Sequence, residues 1–191
     1  MTILDASYSK PLKGGPSFSL KHRFFRAMWN VAWFIFASWT PPFFHCWRVL
    51  LLNLFGSNIH FSAHVYGSTR IWYPPYLSMG AGSCLGPRVN CYCMAPIRLE
   101  DGAIVSQGTY LCAGTHDIED EHFQLIVRPI TIGNGAWIAA EAFIGPGVKV
   151  GNNAVIGART VLLKDAMANS VYSGNPAQLI KLRKINLSTE K

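Results

Sequence analysis

Charge is scarce in this chain. Only 14% of its 191 residues are Asp, Glu, Lys or Arg, and 10 acidic side chains face 17 basic ones, for a formal net charge of +7. Half the residues are hydrophobic, which excludes a disordered chain and suits one domain of ordinary size. The positive balance favours anionic partners: a phosphorylated cofactor, an acidic lipid surface or nucleic acid. No Lys/Arg-rich block and no nucleic-acid motif accompanies it, so no nucleic-acid partner is expected. A long apolar run is missing too. The longest, residues 27–39, is broken by Asn30 and followed by Pro41 and Pro42, which leaves it short of an ordinary transmembrane span. The first 20 residues are polar and Gly/Pro-rich, without a charged segment leading into an apolar one, so secretion is not expected and a cytoplasmic location is. Cysteine pairing is absent from the pattern. The odd set Cys46, Cys84, Cys91, Cys93 and Cys112 fits reduced thiols, and the lone C-x-C of Cys91 and Cys93 lacks a second pair at zinc spacing, so no metal site is expected.

What the chain does have is a period. From Ile126 the aliphatic positions are Ile126, Ile132, Ile138, Ile144, Val150, Ile156 and Leu162, each six residues after the last. A small residue usually follows, as at Gly133, Ala139, Gly145, Gly151 and Gly157. The fourth residue after each is also mostly small or β-branched, as at Ala136, Ala142, Val148, Ala154 and Thr160. Neither a helical period nor simple alternation produces this step. A six-residue unit with one large inward aliphatic marks a hexapeptide β-helix, in which three units make a triangular coil of about 18 residues. Equivalent strands then stack about 4.8 Å apart. Each coil pairs only with its neighbours, so the ends need caps.

Upstream the six-step runs through Ile59, Val65, Ile71, Leu77, Ser83 and Val89, with Ser83 an imperfect member. Ten residues then separate Val89 from Leu99, Val105 and Leu111 resume the step, and fifteen separate Leu111 from Ile126. The last gap predicts an inserted loop over 116–125. It contains His116 and the acidic stretch "EDEH".

The ends read differently. Residues 20–56 begin with Lys21, Arg23 and Arg26 and continue with bulky apolar side chains, which predicts a helix. Thr40 and Pro41 read as the N-cap and first residue of a second helix ending near Gly56. This unit is either an interfacial membrane anchor or a cap on the first coil or on another subunit. After Pro176, "AQLIKLRKI" predicts a short basic C-terminal helix. The expected organisation is a tail and aromatic helical cap or anchor over 1–56, a β-helix over 57–170, and a turn and helix over 171–191.

The stretches "IWYPPYLSMGAGSCLGP", "VSQGTYLCAGTHD", "ITIGNGAWIAAEAFIGPGVKVGNNAVIGARTVLLKD" and "SGNPAQLIKL" resemble the hexapeptide-repeat O-acetyltransferases, most closely the colanic-acid-type polysaccharide acetyltransferases. The resemblance implies a mainly β, left-handed parallel β-helix assembled as a homotrimer, with sites at the subunit interfaces. It implies acetyl-CoA as co-substrate, no metal, and a sugar or lipid-linked saccharide as acceptor in exopolysaccharide or glycolipid biosynthesis.

Acetyl transfer to a hydroxyl needs a base, stabilisation of the developing oxyanion, and two substrates held together. A histidine, titrating ordinarily near 6.5, suits the first task. The resemblance places that base at His116, with direct transfer in a ternary complex. Asp117 either orients the imidazole or a sugar hydroxyl, or caps the loop. Glu141 interrupts a small, apolar coil and either faces the acceptor or points outward. Asn90 stands near where relatives bind the acceptor, whereas Cys93 replaces an Asn common in similar sequences. For acetyl-CoA the resemblance implies contacts at Ala140, Ala158 and Lys164, the turn Gly174 to Pro176 near the adenine, Lys181 near the phosphates and Trp137 at the thioester end. Gln178 stands where some relatives carry Arg. Three alternatives accompany this reading: an antibiotic- or serine-type acceptor, a non-enzymatic β-helix scaffold, and a zinc hydratase, for which the six histidines lack matching spacing. The serine-type enzymes carry a longer helical N-terminal domain than this sequence shows.

Overall fold

The structure is a computed structural model and describes residues 3–184. Its body is a parallel β-helix whose short strands stack into three faces. The first face stacks Asn58–Ile59, Leu77–Met79, Ile97–Leu99, Ile130–Ile132 and Lys149–Val150. The second stacks His64–Val65, Cys84–Leu85, Ile104–Val105, Trp137–Ile138, Val155–Ile156 and Ser170–Ser173. The third stacks Arg70–Ile71, Asn90–Tyr92, Tyr110–Cys112, Phe143–Ile144 and Val161–Leu162.

Each face sends one aliphatic row inward. On the first, Ile59, Met79, Leu99, Ile132 and Val150 lie in register and are buried. On the second the row is Val65, Leu85, Val105, Ile138 and Ile156. The third has Ile71, Cys91, Leu111, Ile144 and Leu162. The predicted six-step is therefore the structural unit, but its upstream phase differs. Twenty residues, not eighteen, separate Ile59 from Met79 and Met79 from Leu99. A 3-10 turn at Pro74–Tyr76 adds the extra residues in the first coil. Ser83 is thus no failed aliphatic. It belongs to the small-residue row Ala63, Ser83, Ala103, Ala136 and Ala154, where its hydroxyl donates to the Gly80 carbonyl at 2.7 Å. A larger side chain there would overfill the corner.

The insertion is a β-hairpin. Gly114–His116 pairs antiparallel with Leu125–Val127, in the register Gly114 with Val127 and His116 with Leu125. Ile126 sits in this arm, half-exposed, and does not start the next coil; that residue is Ile130. The spacing of six between Ile126 and Ile132 is a coincidence of hairpin length.

A short helix α1 (Ala6–Ser9) and a 3-10 turn at Pro11–Lys13 precede α2 (Leu20–Phe36) and α3 (His45–Leu54). Ser19 caps α2. Trp29 and Trp33 of α2 and Val49, Leu51 and Leu52 of α3 join the core beneath the first coil, so these helices close that end of the solenoid. The second helix starts at His45, later than Thr40 and Pro41 imply. The carbonyls of Thr40, Pro41 and Pro42 turn instead toward the buried Arg48 guanidinium.

The C-terminal segment corrects the sequence reading. Gln178–Leu182 is a strand, not a helix, and pairs antiparallel with Ser170–Ser173. The last parallel strand would otherwise leave a row of open backbone groups, and folding the chain back satisfies them. Ile185, the end of the predicted helix, lies outside the described residues.

Candidate active site

The hairpin carries the base candidate. His116 is exposed near its tip, and its Nδ1 lies 2.6 Å from the Phe123 carbonyl oxygen. A carbonyl only accepts, so this contact requires a proton on Nδ1. In the neutral ring Nε2 then keeps its lone pair and is the atom able to take a proton.

The loop that presents the Phe123 carbonyl is held by its own acidic residues. The Asp120 side chain accepts the amides of His122 at 2.7 Å and Gln124 at 3.4 Å, while the Phe123 amide donates to the Asp120 carbonyl. Phe123 adopts φ of 50°, a left-handed conformation uncommon for a bulky residue, which aims its carbonyl back at the ring. The Asp117 carboxylate accepts the Glu119 amide at 3.1 Å, and the Asp117 amide donates to the Gln124 carbonyl. Of the two expectations for Asp117, this geometry is the loop cap.

The hairpin is also tied to the N-terminal tail. The Gln124 side chain accepts the Ala6 amide at 2.7 Å and donates to the Leu4 carbonyl at 3.4 Å. Phe18, Met94 and Leu125 form a small buried cluster beside it. Neither Gln124 nor the Phe123 carbonyl was among the residues the sequence singled out. A backbone carbonyl leaves no sequence signal, and a polar tail gives none for packing.

Asn90 lies on the third face beside Tyr110, and the same strand stack leads through Cys112 into the hairpin. It lines a cavity of about 510 Å³ between α2 and the third face, with Trp29, Asn30, Trp33, Tyr92 and Tyr110. Burial pushes the Tyr110 phenol up to about 12, with the Cys112 thiol adding to it, so the hydroxyl stays a donor at neutral pH. Burial likewise raises Tyr92. Aromatic faces with amide and hydroxyl groups are the chemistry that holds a sugar ring. Cys93 is no part of this cavity. It is buried, with its thiol donating to the Tyr73 carbonyl at 3.3 Å.

The residues assigned to the co-substrate fall in two places. Trp137 is half-exposed on the outside of the second face, between Ile104 and Val155, with Nε1 donating to the Ser106 hydroxyl at 2.9 Å. At the next corner Ala140 and Ala158 occupy adjacent coils, linked by the Arg159 amide on the Ala140 carbonyl. Near the C-terminal end, Lys164 and Pro176 line one concavity of about 490 Å³ with Leu163, Tyr172 and Leu179. Gly174, at φ of 104°, makes the turn above it, where any side chain would be strained. Lys181 is exposed on the final strand. Glu141 stands apart from these. It occupies a corner at φ of 59°, and Arg159 Nε lies 2.7 Å from its carboxylate. Both are exposed, so this pair adds little stability. Among the described residues no group of three or more His, Cys, Asp or Glu is placed to hold a metal ion.

Comparison with known proteins agrees with this architecture. The family model "Bacterial transferase hexapeptide (six repeats)" matches residues 129–164, and "Hexapeptide repeat of succinyl-transferase" matches 77–113. WcaF of Escherichia coli K12, whose name gives it a provisional role as a colanic acid biosynthesis acetyltransferase, is 37% identical over 177 residues, which cover 93% of this chain and 94% of WcaF. The galactoside O-acetyltransferase of the same organism is 30% identical over 66% of this chain and 55% of its own. A maltose O-acetyltransferase from Clostridium difficile 630 has the same fold, with a TM-score of 0.77, 23% identity and coverage of 87% of this chain and 90% of that one. The identity to WcaF extends over nearly the whole of both chains, and the hexapeptide coils run through the body of the fold. On those grounds the protein belongs to the hexapeptide-repeat acetyltransferases, a family of acyltransferases, close to WcaF.

Proposed function

We propose that this protein transfers an acetyl group from acetyl-CoA to a sugar hydroxyl, with His116 as general base. The observation that carries this reading is the His116–Phe123 contact, which leaves Nε2 ready to accept a proton. As the acceptor oxygen bonds to the thioester carbonyl carbon, its proton passes to Nε2. The Phe123 carbonyl holds the Nδ1 proton throughout and so steadies the imidazolium that forms. The carbon–sulfur bond then breaks, and the leaving thiolate takes the proton from Nε2. General-base assistance of this kind contributes about 10²–10⁴-fold. Transfer is direct. The thiol nearest the hairpin in sequence, Cys112, is buried, with its sulfur donating to the Gly114 carbonyl, which makes it a poor nucleophile.

The concavity at Lys164 and Pro176 suits the anionic, elongated co-substrate: a cation, apolar Leu163 and Leu179, and a second cation at Lys181, two residues beyond Leu179 on the final strand. Two relatives with this fold are described as complexes, a galactoside acetyltransferase with coenzyme A and a Vibrio cholerae hexapeptide acetyltransferase with acetyl coenzyme A. The small residues Ala140 and Ala158 leave room for a pantetheine arm along the corner. Ile104 and Trp137, both nearly half exposed on the second face, favour cover by a neighbouring subunit, in line with a homotrimer whose sites lie between subunits. Asn90 and its aromatic cavity serve as the acceptor pocket; Glu141, engaged by Arg159, does not line it.

The test is release of free CoA thiol from acetyl-CoA with a panel of sugars, nucleotide sugars and lipid-linked saccharides, beside calorimetric binding of acetyl-CoA. Binding with acceptor-dependent release supports the reading. Neither binding nor release with any acceptor contradicts it.

A further inference from the structure

Helix α2 has two apolar faces and only one is used by the fold. Trp29 and Trp33 pack inward, while Leu20, Phe24, Val31 and Ile35 are 77%, 70%, 58% and 49% exposed. Their spacing places them on one side of the helix, and Met28 and Phe34 widen the stripe. Lys21 and Arg23, both exposed, flank it. Beyond the helix the apolar surface continues through Phe36, Trp39, Phe44 and Trp47, all exposed, which line one hollow at the elbow before and into α3. A contiguous exposed patch of this kind marks an interaction surface.

Charge decides what covers it. Residues 6–99 contain no Asp or Glu, whereas nine of the 17 Lys and Arg fall there; of the ten acidic residues, Asp5 precedes this stretch and the other nine lie at Glu100 or beyond. A second copy would bring like charge against like, whereas an anionic lipid surface satisfies both the cations and the apolar stripe. The indoles are prepared for such a setting. Trp39 Nε1 donates to the Ile35 carbonyl and Trp47 Nε1 to the Phe36 carbonyl, each at 2.7 Å, so the rings can enter a headgroup layer without an orphaned donor. Among the described residues no helix is long and apolar enough to cross a membrane, and α2, with 17 residues, has the form of a helix lying in the interface.

We propose that the outer face of α2 and the elbow after it form a docking surface for an anionic membrane. The inner side of the same helix walls the Asn90 cavity, so docking holds that cavity at the membrane surface. Resting on the acetyl-transfer reading, this selects a saccharide carried on a lipid as the acceptor class.

The experiment is flotation of the full chain with vesicles of phosphatidylglycerol and phosphatidylcholine, and with phosphatidylcholine alone. The wild type floats with the anionic vesicles and much less with the neutral ones. F24Q/V31Q/I35Q and, separately, K21E/R23E lower the bound fraction at least about tenfold. His116→Ala floats like the wild type, because docking does not depend on the base. A wild type that stays at the bottom of the gradient overturns the proposal, as does a triple variant that floats unchanged. A triple variant with altered sedimentation mass overturns it too, since the stripe would then be a subunit interface. With a vesicle-borne saccharide the triple variant loses turnover that it keeps with the free saccharide; equal turnover on both overturns the acceptor class. Flotation without turnover on either substrate counts against the acetyl-transfer reading and leaves docking standing.

Discussion

His116 Nδ1 and the carbonyl oxygen of Phe123 lie 2.6 Å apart, seven residues apart in sequence, with His116 ending one arm of a hairpin and Phe123 in the loop that joins the arms. This contact fixes the tautomer of the proposed base. The neutral ring is therefore expected to carry its proton on Nδ1, with Nε2 bare. Long-range nitrogen–proton correlation spectra of labelled histidine check this: the bare-nitrogen shift belongs to Nε2, and a bare Nδ1 would break the assignment.

Gln124 holds the same loop from the other side, through Ala6 and Leu4. Gln124→Ala removes two hydrogen bonds to the tail, each worth about 1 kcal/mol. The expected outcome is faster hydrogen exchange at the Ala6 amide and a several-fold loss of kcat, with thermal stability of the solenoid little changed. Unchanged exchange at Ala6 would show that the tail is held by other means.

Arg48 is fully buried and donates to the carbonyls of Val65, Thr40, Pro41 and Pro42 and to the Thr40 hydroxyl. It ties the elbow between α2 and α3 to the first coil. Arg48→Met leaves those acceptors unpaired and is expected to cost about 3 kcal/mol, read by denaturant unfolding. Arg48→Lys recovers only part, because one ammonium cannot reach the same spread of carbonyls.

His22 is buried among Phe18, Trp72 and Tyr73, and neither ring nitrogen has a hydrogen-bond partner. Burial, helped by the Arg26 charge, holds it down to about 4 from the usual 6.5. The unfolded chain therefore binds a proton below about 6.5 that the folded chain refuses until about 4. Stability falls as pH drops through that window, by up to about 3 kcal/mol, and no further below it. His22→Phe should flatten this acid limb in unfolding curves measured between pH 7 and 4. An equally steep limb in the variant would assign the loss to other groups.

The six-residue period, the N-terminal helices and the hairpin's position at a break in the repeat were all legible in the sequence. They rest on spacing, and spacing survives folding. The phase before Leu99 was not legible, because the Pro74–Tyr76 turn lengthens the coil without changing the composition around it. Leu77 is buried and apolar in any case, so nothing marked Met79 as the true ladder position. Gln178–Leu182 was misread because its apolar residues suit a helix as well as a strand, and the open edge that captures them exists only after the solenoid has formed. At the candidate site, the break in the repeat marked the hairpin that carries His116. The groups that position His116 left no such mark, since one is a carbonyl and the other a glutamine tied to a distant tail.

The central claim is that His116 removes the acceptor proton. Turnover of wild type and His116→Ala, at saturating acetyl-CoA with an acceptor found active, tests it most directly. The account predicts a loss of about 10²–10⁴-fold in kcat with acetyl-CoA binding and assembly unchanged. Turnover of the variant within a few-fold of wild type would contradict it.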